Sequence, residues 1–242
     1  MNRPHPGASA SRPKPATDHP AQTAGSDTLR GWPRPGIRPS AAPGGSTGRP
    51  GHGTGLARAV TEVLAPANLA VAQLLLVGWH STPGPAGLGW GLLAATFCGL
   101  LPYGIVIAGV HRKRWGDRHL RDRRQRPGPL LTGLASVVAG LAILVALGAP
   151  SELVALVAAM LAGLATALVV TLWWKLSLHT AGAAGTVAIL ALVFGPALTL
   201  AIPAVALVAW ARVRLGDHTP AQTMAGAALG GLVATTVFIL LR

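Results

Sequence analysis

Three short polar stretches interrupt an otherwise apolar half of this chain, and each combines histidine with lysine or arginine. The last runs Ala211-Arg212-Val213-Arg214-Leu215-Gly216-Asp217-His218-Thr219-Pro220-Ala221-Gln222. The second is Lys175-Leu176-Ser177-Leu178-His179, and the first is the basic run from His111 to Arg126, which includes His119. Guanidinium forks match the oxygens of phosphate, and two histidines brought together supply a nucleophile and a general acid. The chemistry these residue types suggest is attack on a phosphate ester held at a lipid interface.

The elements that must position them are apolar helices. Half of the residues (51%) are hydrophobic and only 11% are charged, with the charges clumped rather than spread over a surface, which excludes an ordinary soluble domain. Apolar runs of roughly 20 residues, long enough to cross a ~30 Å hydrocarbon core as helix, recur along the chain. The sequence therefore predicts an all-α, polytopic membrane helical bundle. A net charge of +13 raises the question of nucleic acid, but the loops that carry it adjoin lipid spans. Anionic lipid headgroups and phosphorylated lipids are the partners expected, and nucleic acid is not. The single cysteine, Cys98, lies inside an apolar run, so no intramolecular disulfide forms. Richness in Ala, Gly, Pro and Arg suits a GC-rich bacterial genome.

Residues 1–57 are Pro, Gly, Ser and Thr with scattered Arg and His, and too few large apolar side chains to offset the entropy of ordering. They are expected to form a disordered tail, ahead of a membrane-embedded domain over 58–242. The first span, Val63 to Trp79, is the weakest and follows an amphipathic lead-in with Arg58 and Glu62. A second runs from Ala86 to Val110 with a kink at Pro102. A third, Leu130 to Ala149, and a fourth, Glu152 to Trp174, form an antiparallel hairpin, with Ser151 expected to cap the fourth. Ala181 to Trp210 is too long for one crossing, and Gly195-Pro196 splits it. The final span, Pro220 to Leu241, starts with Thr219 as cap and Pro220 at the first helical position. The count is seven spans, or six plus a weak first one. Trp79, Trp90, Trp173, Trp174 and Trp210 fall at span ends, as in an aromatic belt.

Charge tests this topology. With seven crossings the tail, the basic run, the Lys175 turn and the Arg212 turn share one face, which then holds every Lys and Arg except Arg242, 19 of the 20. The positive-inside rule places that face in the cytoplasm, which in a bacterium makes this a multi-pass protein of the inner membrane.

On these residues the chain resembles the type 2 phosphatidic acid phosphatase superfamily, membrane lipid phosphatases related to vanadium haloperoxidases. The family pattern is Lys-x6-Arg-Pro, then Pro-Ser-Gly-His, then Ser-Arg-x5-His-x3-Asp. Here the first element is His119-x6-Arg126-Pro127, the second Leu176-Ser177-Leu178-His179, and the third Ala211-Arg212-x5-His218-x3-Gln222, followed by the small-residue stretch from Ala225 to Gly230. The resemblance covers most of residues 86–242. It implies that His218 attacks phosphorus to form a phosphohistidine and that His179 protonates the leaving group. It further implies that Arg126, Arg212, Ser177 and His119 bind the phosphate. No metal or other cofactor enters the scheme, because fixed cations stabilise the developing charge. Three positions depart from the pattern: Gln222 stands for the aspartate that orients the nucleophile, His119 for lysine, and Leu178 for glycine. About one helical turn beyond His218, the Gln222 amide oxygen can accept the imidazole N–H but cannot supply the carboxylate's charge.

Plainer roles stand beside these. His179 and His218 can serve as interfacial polar residues bonded to neighbouring helices. Arg112, Arg114, Arg118 and Arg121 set topology and bind anionic lipid, and Gly226-x3-Gly230 packs helices. Two functions from different classes follow: a phosphohistidine phosphatase of a lipid phosphate or isoprenoid diphosphate, or a catalytically silent relative that binds phospholipid headgroups or scaffolds a membrane complex. A small transporter lacks the acidic residue deep within a span that proton or cation coupling needs.

Overall fold

The computed structural model describes residues 52–112 and 127–242, and every regular element among them is helical. The tail up to residue 51, together with His119 and Arg126, lies outside the described residues.

Proline and glycine set the element boundaries. Helix α1 (His52–Val63) begins inside the segment assigned to the tail, and is the amphipathic lead-in. It ends where Pro66, which lacks an N–H, holds Ala65 extended and opens α2 (Pro66–Ser81) at a 42° bend. The Asn68 side chain donates back across the break to the carbonyls of Glu62 and Val63 (2.8 and 3.2 Å), the first of which also accepts the Ala65 N–H (3.4 Å).

Helices α3 (Pro85–Ala95) and α4 (Leu101–His111) form one apolar span, joined by a π-helical turn over Thr96–Leu100. The expected kink at Pro102 is thus a register shift one turn earlier. Proline cannot donate to the carbonyl four residues back, and the ladder widens, with the Leu101 N–H reaching Thr96 O. Ser136 Oγ from α5 (Pro127–Ala146) donates to the Phe97 carbonyl of this turn at 2.6 Å.

Helix α6 (Ser151–Trp173) returns antiparallel to α5, as the short link predicts, but Ser151 does not cap it. Pro150 holds the extended N-cap conformation, Ser151 is already helical, and no side-chain cap bond forms. Gly195, at φ 108°, ends α7 (Leu178–Phe194), and Pro196 starts a 3-10 turn (Pro196–Ala201) that runs into α8 (Ile202–Arg214). The long apolar run is therefore two elements. Helix α9 (Pro220–Leu241) completes the chain. Among the described residues five spans are long and apolar enough to cross a membrane, six if the bent α1–α2 pair counts as one, and α7 is a shorter apolar helix.

Helices α7 and α9 run parallel at close quarters. A Cβ at Gly226 would lie 2.5 Å from both Ser177 O and Thr180 Oγ1, and one at Gly230 would collide with the Ala181 backbone. Small residues let the two backbones approach where lipid offers no hydrophobic drive for association. Leu74, Val77, Leu144, Leu153, Leu156, Ile189 and Phe238 fill the interior of the bundle. Leu131, Val138, Leu172, Leu200, Leu232 and Leu240 stay on its outside, as a lipid-facing surface requires. Trp79, Trp173, Trp174 and Trp210 are exposed, whereas Trp90 packs against the core rather than joining a belt.

Candidate active site

Local sequence dictates the turn that carries His218. Gly216, at φ 70°, stops α8: its N–H donates to Val213 O (2.9 Å) and the Asp217 N–H to Arg212 O (3.1 Å), the paired bonds of a Schellman cap. The cap turns Asp217 back toward the helix it has just left, so that Asp217 Oδ2 meets Arg212 Nη2 at 3.1 Å. The His218 N–H also reaches Arg212 O, at 3.3 Å. Two residues on, Thr219 and Gln222 form a capping box that starts α9, with Pro220 at its first position.

The second polar stretch braces this turn. Lys175 Nζ donates to Asp217 O at 2.6 Å, the Ser177 N–H to Gln222 O at 3.3 Å, and Leu176 O faces His218 Nε2 at 3.3 Å. A carbonyl only accepts, so the last contact selects the Nε2–H tautomer and places the imidazole lone pair on Nδ1. Ser177 caps α7, its Oγ accepting the Thr180 N–H, and His179 follows in the first turn. Because α7 and α9 start at the same end of the bundle, the two histidines arrive together.

They line one cavity of about 390 Å³ between α2, α4, α5, α6, α7 and α9. His179 and His218 are 6% and 7% exposed, and most of the remaining wall is apolar, including Val106, Leu130, Met160 and Ile189. Arg212 (1% exposed), Asp217 (5%) and Ser177 (0%) are fully enclosed and stand behind this wall rather than in it. The geometry can therefore present two imidazoles to the head of a lipid whose tail lies in the cavity. Among the described residues no cluster of His, Cys, Asp and Glu is arranged to hold a metal ion.

Several predicted site residues have other employment. Gln222 Oε1 accepts the Thr219 N–H at 3.2 Å, so the amide oxygen offered to the His218 imidazole is part of the helix cap instead. Arg212, expected on phosphate, is paired with Asp217, and Ser177 Oγ is a cap. His119 and Arg126 lie outside the described residues. Sequence reasoning missed the Leu176 carbonyl, which no side-chain motif reports. It also missed Gln73 and Thr186 in the cavity wall, for which polar residues inside apolar spans were the available signal.

A comparison with curated proteins and one with solved structures each give no match. A family model does match residues 174–242, the segment that holds both histidines, the Arg212–Asp217 pair and the α7–α9 packing. Residues 174–242 are thus a PAP2-superfamily segment, in line with the phosphatase superfamily that the chain's motifs resemble.

Proposed function

We propose that this membrane protein hydrolyses a lipid phosphate or isoprenoid diphosphate through a phosphohistidine. The observation that carries the reading is the placement of His179 and His218, both more than nine-tenths buried, in one largely apolar cavity. The substrate's chain occupies the cavity and its phosphate meets the imidazoles. A His218 nitrogen attacks phosphorus, and the P–N bond forms as the bond to the leaving oxygen breaks. His179 gives that oxygen its proton. A water then attacks phosphorus, yields its proton to His179, and releases orthophosphate as the P–N bond breaks. Attack through Nε2 requires the ring to leave the Leu176 carbonyl and move its proton to Nδ1. In this reading Arg126 and His119 bind the phosphate, and Arg212, paired with Asp217, braces the His218 turn from behind the wall. The end of the bundle that carries Arg58, Lys175, Arg212 and Arg214 faces the cytoplasm of a bacterial inner membrane and attracts anionic headgroups.

The test is phosphate release by the purified protein in detergent from phosphatidate, phosphatidylglycerol phosphate and polyprenyl diphosphates, beside His218→Ala. Turnover lost in the variant supports the enzyme. A second reading, a silent relative that binds phospholipid headgroups or scaffolds a complex, is favoured by the two commitments just described, Gln222 to its cap and Arg212 to Asp217. Saturable lipid-phosphate binding without release from any substrate would select it.

A further inference from the structure

Helices α2 and α7 run parallel along the cavity, with Pro66 against Gly182 near their starts and His80 against Phe194 (ring centroids 4.9 Å) near their ends. Between these contacts Gln73 and Thr186 line the cavity wall, 7% and 8% exposed. Neither Gln73 Oε1 nor Thr186 Oγ1 has a hydrogen-bond partner among the described residues. Thr96 and Thr166 show the usual alternative for a helical threonine: each donates to a carbonyl one turn back, at 2.8 Å. Thr186 does not, and its hydroxyl is left unpartnered in a residue that lines the cavity. A stranded amide oxygen and a stranded hydroxyl at lipid depth are each unfavourable, so the two sites call for a polar occupant.

The chemistry of that occupant follows from the two atoms. Gln73 Oε1 can only accept, whereas Thr186 Oγ–H can donate. A ligand hydroxyl suits either atom, since it can donate to the Gln73 oxygen and accept from the Thr186 hydroxyl. An ester carbonyl satisfies only Thr186, and hydrocarbon satisfies neither. Thr186 follows His179 by two turns of α7, about 10 Å at 1.5 Å per residue, or roughly eight bonds of extended chain. We propose that Gln73 and Thr186 form a subsite for a hydroxyl in the lipid portion of the substrate, about 10 Å from the reacting phosphate. The subsite rests on the lipid-phosphate reading above and narrows it to hydroxyl-bearing lipids over plain isoprenoid chains.

The test uses single-chain alkyl phosphates with one hydroxyl moved along the chain, against the unsubstituted alkyl phosphate. Binding is read from thermal stabilisation of the full-length protein in detergent, and turnover separately from phosphate release. With the hydroxyl roughly six to eight carbons from the phosphate, affinity should rise about tenfold, the value of one to two buried hydrogen bonds. The gain should vanish in Gln73→Leu and Thr186→Val, which keep volume and still bind the unsubstituted chain, and persist in Thr186→Ser. Equal binding of every isomer would overturn the subsite and leave the pair as a place for structural water. Failure of any alkyl phosphate to bind would overturn the lipid-phosphate reading together with it.

Discussion

Arg212 and Asp217 form an ion pair, Nη2 to Oδ2 3.1 Å, sealed beneath the turn that presents His218. Asp217→Ala leaves a buried guanidinium without its counter-charge and should destabilise the protein by about 3–5 kcal/mol. The double variant Arg212→Met with Asp217→Leu should recover much of that loss. Denaturant or thermal unfolding in detergent measures both. An Asp217→Ala protein within about 0.5 kcal/mol of wild type would show that the pair contributes little.

Gln222 is a helix-capping residue in this geometry, its side chain bonded to the Thr219 N–H and the Thr219 hydroxyl to the Gln222 N–H. Gln222→Ala should lower stability by about 1 kcal/mol, while Gln222→Glu preserves the capping box and stability with it. If Gln222 instead acted on the imidazole, alanine would reduce turnover far more than stability, and the two readouts taken on one preparation separate these roles.

Gly226 sits where α9 touches the start of α7, against Ser177 O and Thr180 Oγ1. A methyl group there must push the turn that carries His179 by several tenths of an ångström. Gly226→Ala should therefore lose about 1–3 kcal/mol and depress turnover as well. The control is Gly104→Ala in α4, where nothing lies within 4 Å of the added Cβ, and it should be neutral or stabilising by up to about 1 kcal/mol.

His179, as proton donor to the leaving oxygen, matters in proportion to how poorly that group leaves. His179→Ala should reduce release from a lipid alcohol ester about 10²–10⁴-fold, and far less from p-nitrophenyl phosphate, whose phenolate needs no proton. Equal losses on the two substrates would assign His179 to positioning rather than proton transfer.

The sequence alone determined several of the helix breaks, because proline and glycine act locally. Pro66 and Gly195-Pro196 break the chain where their backbone chemistry requires, and Thr219-Pro220 opens α9 as its capping signals predict. The two histidines were legible as well, from motif spacing and a shared end of the bundle. Ser151 was not a cap because Pro150 already held that conformation, a competition that a propensity rule does not rank.

Tertiary structure decided which polar atoms meet. The spans α7 and α9 are apolar around most of their circumference, so hydrophobic pattern does not say which side faces inward. That phase is set by close contacts, Gly226 on Ser177 and Gly182 on Pro66, which turn His179 and Thr186 toward the cavity. Likewise, the Leu176 segment brings a backbone carbonyl to His218, and Lys175 reaches the carbonyl of Asp217. Such partners are chosen by the meeting of segments some 40 residues apart in the chain, where local spacing carries no information.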